Sequence, residues 1–479
     1  MEWTGLALLL LVALGIIATG LPAAFVLIAV ATLGAGIGVA SGAIPAALLW
    51  TLPTRLINLF ENDLLQALPL YVTMGLLLDR LPIANALYRA GNALLSRSSA
   101  APVASGVLLG ALLGPMNGSV GASVLGLSRV ISPRLDAEGV PPSRRDAVVA
   151  VASTLGVLVP PSLVLILLSD AMLSAHTIAV TQTGRNDRII NTADIFHAAL
   201  APAALFVLLC LVVALLTGRS ATKPLPRQPL TFREGLLAAV TVIALVTLLG
   251  GVALGLFFPV EAAALGAFAL FVVGLATGRL PGTVLNILLR DAMAMTGALF
   301  SLLVAATTFT LVLRLLGTDR LVDAFIAAIP GNDLLVVACV LALIGLCAFV
   351  LDAFEIIFVI VPIVIPPLLI RVADARWVAV LLMLTLQSSF LLPPFGYALI
   401  MVRGAAKQPA PFRLFVRALL PFLIAQWAVL ALVLLAPRLV HLGENATDSV
   451  RAPAVPISND DISKKINSMV APPLPDQAK

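Results

Sequence analysis

Two proline pairs sit inside apolar runs: Pro160-Pro161 in "LGVLVPPSLVL" and Pro393-Pro394 in "SSFLLPPFGYA". A proline pair removes two backbone donors and frees the carbonyls upstream of it. In hydrocarbon such carbonyls are tolerated only where they line a cavity or are buried in protein. Desolvated carbonyls beside hydroxyls make a cage for a hard cation such as sodium. The first pair offers Ser153, Thr154, Gly156 and the carbonyls up to Val159. The second offers Ser388, Ser389 and the carbonyls of Leu391 and Leu392, ending at Pro393. Two polar tips in the apolar regions upstream, Asn117-Gly118-Ser119 and Leu351-Asp352-Ala353, would approach these breaks. The alternative at either break is a plain proline kink whose hydroxyls bond back to their own helix. Its recurrence at matching positions favours the cages.

Charges at membrane depth are functional candidates by default. Asp170, Glu261, Arg314, Asp352 and Glu355 are the ones here. Asp352 and Glu355 lie one helical turn apart and share a face. They either face a sodium or substrate cavity or bond to backbone ends within their own segment. Asp170 and Arg314 lie near span ends, where long side chains snorkel. Glu261 follows a proline at a helix start, where an acid suits the dipole. The histidines, His176, His197 and His441, fit no metal spacing. Cys210, Cys339 and Cys347 lie in apolar stretches and read as small core residues.

The elements that must hold these groups are membrane helices. Hydrophobic residues make up 61% of the chain and charged residues 11%, against about 25% charged in a soluble domain. The net charge of +5 does not point to nucleic acid; basic cytoplasmic loops account for it. Apolar runs predict spans near 3–19, 21–38, 63–79, 146–170, 195–217, 235–254, 259–277, 292–316, 377–402 and 414–437. With Glu2 and no basic n-region, residues 3–19 read as a retained span. Segments 82–95 and 281–290 are amphipathic, either arms at the interface or ordinary loop helices.

Regions 101–133 and 334–370 are too long and too interrupted for one span each. Arginines flank the first on both sides, so it enters and leaves on the cytoplasmic side as a re-entrant hairpin. That topology puts sixteen loop Lys and Arg inside against six outside, as the positive-inside rule requires. An internal repeat supports it. The proline pairs are 233 positions apart, and the same offset matches Pro133 to Pro366 and Ser119 to Asp352. Each copy holds five spans and a hairpin, so the second is inverted, as in secondary transporters. The expected fold is an all-α polytopic membrane protein with about ten transmembrane helices and two re-entrant hairpins in two inverted repeats. The first repeat covers 1–217, a basic linker 218–234, the second repeat 235–440, and a polar tail 441–479.

The segments "NDLLQALPLYVTMGLLLDR", "STLGVLVPPSLVLILLSD", "FFPVEAAALGA", "LDAFEIIFVIVPIVIPP" and "LQSSFLLPPFGYALIMVRG" resemble signature segments of TRAP (tripartite ATP-independent periplasmic) transporter large membrane subunits, DctM-like. Within that family the chain resembles the branch labelled for mannitol or chloroaromatic compounds. The resemblance runs in order over residues 1–440. It implies an elevator-type carrier of the ion-transporter superfamily, coupled to sodium and importing an organic acid across the bacterial inner membrane. It also implies a small four-helix (DctQ-like) membrane subunit and a periplasmic substrate-binding protein as partners, with membrane lipid around them. By position, its sodium ions fall at Asn117, Gly118, Ser119, Ser153 and Gly156, and at Asp352, Ser388, Ser389 and Pro393. The sequence departs from the family pattern at "PMNGSVGASVLG", at Leu392 in place of a threonine, and at "FPVEAA" in place of "TPTEAA". These departures remove two hydroxyls and leave the backbone carbonyls.

A channel would set rings of polar residues about an oligomeric axis, whereas here the polar breaks pair within one chain. An enzyme would need a nucleophile–base pair or a metal cluster, and no HExxH motif is present. A stand-alone proton- or sodium-coupled organic anion carrier of the same superfamily is the alternative to the binding-protein-dependent one.

Overall fold

The computed structural model describes residues 2–95, 98–116, 119–185, 188–217 and 230–442. Asn117, Gly118, linker residues 218–229 and tail residues 443–479 lie outside the described residues. Among the described residues all regular structure is helical.

The chain opens with α1 (Glu2–Thr19), α2 (Ala23–Ala40) and two short helices, α3 (Ala46–Leu49) and α4 (Leu52–Phe60). Next come α5 (Asp63–Arg80), the amphipathic α6 (Ile83–Leu94), α7 (Ala101–Leu113) and α8 (Val120–Ala137). The first proline pair separates α9 (Pro142–Leu158) from α10 (Leu163–Thr183), and α11 (Thr192–Thr217) follows. The second half runs α12 (Phe232–Ala253), α13 (Pro259–Ala276), α14 (Gly282–Leu315), the short α15 (Thr318–Ala328) and α16 (Asp333–Cys347). Then α17 (Ala353–Glu355), a π-helical turn (Ile356–Ile360) and α18 (Val361–Arg371) form one continuous arm. The second proline pair separates α19 (Ala375–Leu391) from α20 (Tyr397–Ala405), and α21 (Phe412–Leu435) closes the bundle. The bounds of α9 and α19 differ by 233 at both ends, and so do the starts of α8 and α17.

Among the described residues, eight helical runs are long and apolar enough to cross a bilayer, or nine if α5 and α6, bent by 67°, make one span. The sequence predicts about ten, and the difference has physical causes. Residues 3–19 give a helix a little too short to cross, α5 is bent against α6, and prolines split run 377–402 into α19 and α20, whereas 353–371, within the second interrupted region, is long and apolar enough. At 17 residues, α19 reaches only about 25 Å at 1.5 Å per residue, short of a hydrocarbon core of about 30 Å. Segment 281–290 is no separate arm: it opens α14, one helix of 34 residues.

Polar caps begin the interrupted elements. The side-chain oxygens of Ser119, Ser162 and Asp374 accept hydrogen bonds from the amides of Ala122 (3.2 Å), Leu165 (3.1 Å) and Trp377 (3.0 Å). Each satisfies a donor that the first helical turn leaves orphaned.

Burial separates two groups of helices. The apolar window within 142–183 is 94% buried, whereas those of α2, α11, α12 and α13 are 33% buried. The broken helices therefore form the centre. Around them α7 and α8 both pack on α9, α16 packs on α19, and α9 packs on α19. The halves interlock, since α10 lies along α18 and α20 lies on α8. A second set, α2, α5, α13 and α14, packs mainly within itself.

Candidate functional site

The first break and the first hairpin tip meet around a small cavity. Its lining includes Gly114, Pro115, Ser119, Ser123, Ser153, Gly156 and Ser162, with apolar Val120, Val157, Leu163 and Val164 closing it. Its volume is about 10 Å³, on the scale of a single water-sized sphere. Of the predicted residues, Ser119, Ser153 and Gly156 line it, whereas Thr154 and Val159 do not. Thr154 is fully buried and donates to the Val151 carbonyl at 3.0 Å.

Three of the four serines on this wall already use a hydroxyl hydrogen or one lone pair. Ser153 donates to the Val149 carbonyl at 2.6 Å. Ser162 donates to the Val157 carbonyl at 2.8 Å while capping α10. Ser119 caps α8. A hydroxyl that donates to a carbonyl points its remaining lone pairs elsewhere. Back-bonding, the alternative reading of these serines, therefore coexists with a small cavity whose wall is part serine and mostly apolar.

The cavity exists because two helices touch at backbone level. A Cβ on Gly114 would lie 2.6 Å from the Gly156 Cα, and one on Gly156 would meet the Gly114 carbonyl. One turn away, a Cβ on Gly110 would meet the backbone of Ala152. Small residues at i and i+4, Gly110 on α7 and Gly114 at its C-cap facing Ala152 and Gly156 on α9, make a close helix crossing of the kind membrane helices favour. Gly156 thus has a packing role beside its place at the cavity.

The second break is arranged differently. Ser388 and Ser389 are buried and donate to the Leu384 and Thr385 carbonyls at 2.8 and 2.9 Å. Both proline pairs have a cis peptide bond. Leu391 is buried, whereas Pro393 is half-buried at the open part of the break. On the same helix, Gln387 is fully buried, and among the described residues neither of its amide atoms has a partner. Sequence reasoning missed this residue, although it adjoins Ser388. It also missed Ser123 and Ser162, which stand one turn beyond Ser119 and directly after Pro161.

The acidic tip of the second hairpin caps a helix. Glu355 accepts from the Asp352 backbone amide at 2.9 Å, the backbone alternative of the two offered by the sequence. The other intramembrane charges also have partners. Asn62 donates to Asp170 at 3.0 Å, tying α10 to the start of α5. Glu261 accepts from the Phe258 amide at 3.0 Å and caps α13. Arg314 donates to the Pro362 carbonyl at 3.1 Å. That carbonyl lacks its helical donor because residue 366 is a proline.

One buried ion cluster was not singled out in the sequence. Arg145, 7% exposed, donates from Nη1 to both Asp136 oxygens (2.9 and 3.0 Å), from Nε to Asp146 and from Nη2 to the Gln408 carbonyl, both at 2.8 Å. Asp146 in turn accepts from the Ala410 amide at 3.1 Å. The cluster ties the α8–α9 junction to the α20–α21 loop. Among the described residues no group of His, Cys, Asp and Glu could hold a metal ion.

Comparison with known proteins gives these features a family. Residues 9–439 match the model of the tripartite ATP-independent periplasmic transporter, DctM component. The chain is 25% identical over 400 residues to the sialic acid TRAP transporter permease SiaT of Haemophilus influenzae, covering 82% of this chain and 61% of that protein. It is 25% identical to the C4-dicarboxylate TRAP transporter large permease DctM of Pseudomonas aeruginosa, covering 81% and 87%. In fold it resembles the YdaH transporter of Alcanivorax borkumensis, with a TM-score of 0.59 at 16% identity over 81% of this chain and 87% of that one. With 431 of its residues inside one family model, a multi-span helical fold and broken helices at its centre, the chain belongs to the DctM family of tripartite ATP-independent periplasmic transporters, as a large permease subunit and not an enzyme.

Proposed function

We propose that this subunit imports an organic acid across the bacterial inner membrane by a sodium-coupled elevator movement. It would act with a small membrane subunit and a periplasmic substrate-binding protein. The observation that carries this reading is the water-sized, serine-lined cavity where the first hairpin tip meets the first break. Sodium needs several oxygens and no titrating group, and Ser119, Ser123, Ser153 and Ser162 can supply them with the neighbouring carbonyls. Gln387 beside Ser388 and Ser389 offers a second polar region, where a buried carboxamide without partners costs about 1–3 kcal/mol per unsatisfied group. The central helices, α7–α10 and α16–α20, form the moving body, and α2, α5, α13 and α14 the frame. The two halves are inverted repeats, each with a hairpin and a broken helix.

Proton coupling is the second reading, favoured by the Asp352–Glu355 pair at the other tip. The two part company in proteoliposomes holding the complete complex, where uptake is expected to vanish without sodium even under an imposed inward proton gradient. Uptake that ignores sodium but is abolished by Asp352→Asn would transfer the coupling to protons.

Ser119→Ala provides a finer measurement. It removes one oxygen from the cavity and the cap of α8, and the cap alone is worth about 1 kcal/mol. The sodium concentration for half-maximal uptake should rise about tenfold, since losing one oxygen ligand at roughly 1.4 kcal/mol is a decade in affinity. Ser119→Thr, which keeps the hydroxyl, should restore it. An unchanged sodium dependence in Ser119→Ala would remove this cavity from the coupling mechanism.

A further inference from the structure

A cleft of about 420 Å³ opens where α14 ends and α15 begins, with Trp3, Arg314, Asp319 and Arg320 on its walls. Gly317 makes the joint between the two helices, in the left-handed region at φ +78°. The first turn of α1 forms the facing wall, and its seat is tight. Thr318 is fully buried, and a Cβ on Gly5 would collide with its Oγ1. Trp3 meets Phe325 of α15 edge to face, with ring centroids 6.2 Å apart at 86°. Three helices therefore hold the cleft in shape.

The charges on these walls do not cancel. Arg314 spends Nη2 on the Pro362 carbonyl, and Arg320 is exposed. Among the described residues no ion pair within 4 Å holds either of them. Asp319 is the one acid on the walls, and its Oδ1 accepts from the Arg320 backbone amide at 3.0 Å. Two guanidinium groups against one carboxylate favour an anion, and their forked N–H donors suit phosphate oxygens.

The surface beside the arginines selects among phosphates. Trp3 is 68% exposed, and an amphipathic ring of this kind sits at the bilayer interface. Leu10, Leu14 and Ile17 are exposed as well, and their spacing continues the face of α1 that carries Trp3. From Trp3 to Ile17 this apolar stripe runs about 21 Å at 1.5 Å per residue. Half a hydrocarbon core, the depth one acyl chain fills, is roughly 15 Å. A free anion would leave the stripe unused, whereas a lipid covers it.

We propose that this cleft binds the phosphate of an anionic phospholipid through Arg314 and Arg320, with an acyl chain laid along Trp3, Leu10, Leu14 and Ile17. The bound lipid ties α1 to the α14–α15 joint. Through Arg314, which also holds the Pro362 carbonyl, it meets α18, the outgoing arm of the second hairpin. None of its residues lies at either hairpin tip, so occupancy does not depend on which ion drives uptake.

The test uses the full chain in neutral detergent micelles, with radiolabelled dioleoylphosphatidylglycerol as probe. The wild type should retain the probe, and unlabelled phosphatidylglycerol should displace it. Equal concentrations of inorganic phosphate, of diacylglycerol (acyl chains without phosphate) or of a soluble acidic peptide should leave it in place. Arg320→Gln should weaken retention about tenfold through loss of one charge-assisted contact, and Arg320→Lys by about threefold or less, because the charge remains. Arg320 is exposed, so both variants should melt with the wild type when no lipid is added, which checks that they are folded. A wild type that retains no probe, or Arg320→Gln that retains it as tightly as the wild type, would overturn the proposal. Displacement by inorganic phosphate would make the cleft a free-anion site, by the acidic peptide a protein-docking site, and by diacylglycerol a plain apolar groove. Each of those three results overturns the phospholipid assignment as well.

Discussion

Gly156→Ala is expected to abolish uptake and to lower stability by about 3 kcal/mol, the upper part of the usual range for overpacking. The added methyl meets backbone, which cannot rotate aside as a side chain could. It would press on the Gly114 carbonyl and lie 2.6 Å from the Gly114 Cα. To make room, α7 must move away from α9, and the 3-10 turn that carries Gly114 and Pro115 moves with it. Those two residues and Gly156 line the cavity, so its oxygens would separate as the helices do. Heat denaturation in detergent and uptake under the sodium-coupled reading proposed above measure the two parts of the effect. Wild-type uptake by Gly156→Ala would show that the crossing yields easily and that the cavity does not depend on it. The second half offers a built-in comparison. Gly345 meets only the Thr385 methyl, at 3.4 Å, which is ordinary contact, so Gly345→Ala should be tolerated.

Arg145→Met should destabilise the protein by about 3–5 kcal/mol, the cost of breaking a buried ion pair from one side. The methionine fills much of the volume but leaves Asp146, whose side chain is 2% exposed, as an uncompensated buried charge. Asp136 is 47% exposed, and water can take over there. The double variant Arg145→Met with Asp146→Asn should therefore recover a large part of the loss, because no unpaired charge stays buried. Arg145→Lys should recover little, since one ammonium nitrogen cannot serve Asp136, Asp146 and the Gln408 carbonyl, which three separate guanidinium nitrogens reach. Melting temperatures of the four proteins in one detergent would show this ordering. A single variant as stable as the wild type would mean that the α20–α21 loop does not depend on this cluster for its place.

That this is a helical membrane protein was legible from composition, because no aqueous fold could hide so much apolar surface. The sequence also located the two breaks, since a proline pair inside an apolar run must interrupt a helix whatever surrounds it. Ser119 and Asp352, 233 positions apart, were legible as matched tips, and they do begin α8 and α17 at that offset. Span number was less legible. Hydropathy averages over a window, so it merges α19 with α20 into run 377–402 and cannot see the turn between them. Which oxygens face one another was decided only by the tertiary structure. Thr154 and Ser153 are neighbours in the chain, yet a helix turns about 100° per residue, and only Ser153 reaches the cavity. Arg145, Asp136 and Asp146 form one cluster with backbone more than 260 positions away, and no local pattern announces such a partner. Gly110 and Gly114 could be read as a small-residue stripe, but that it meets Ala152 and Gly156 follows from how α7 lies on α9. Side-chain type and spacing fix what each helix can offer; the crossing of helices distant in sequence fixes which offers meet.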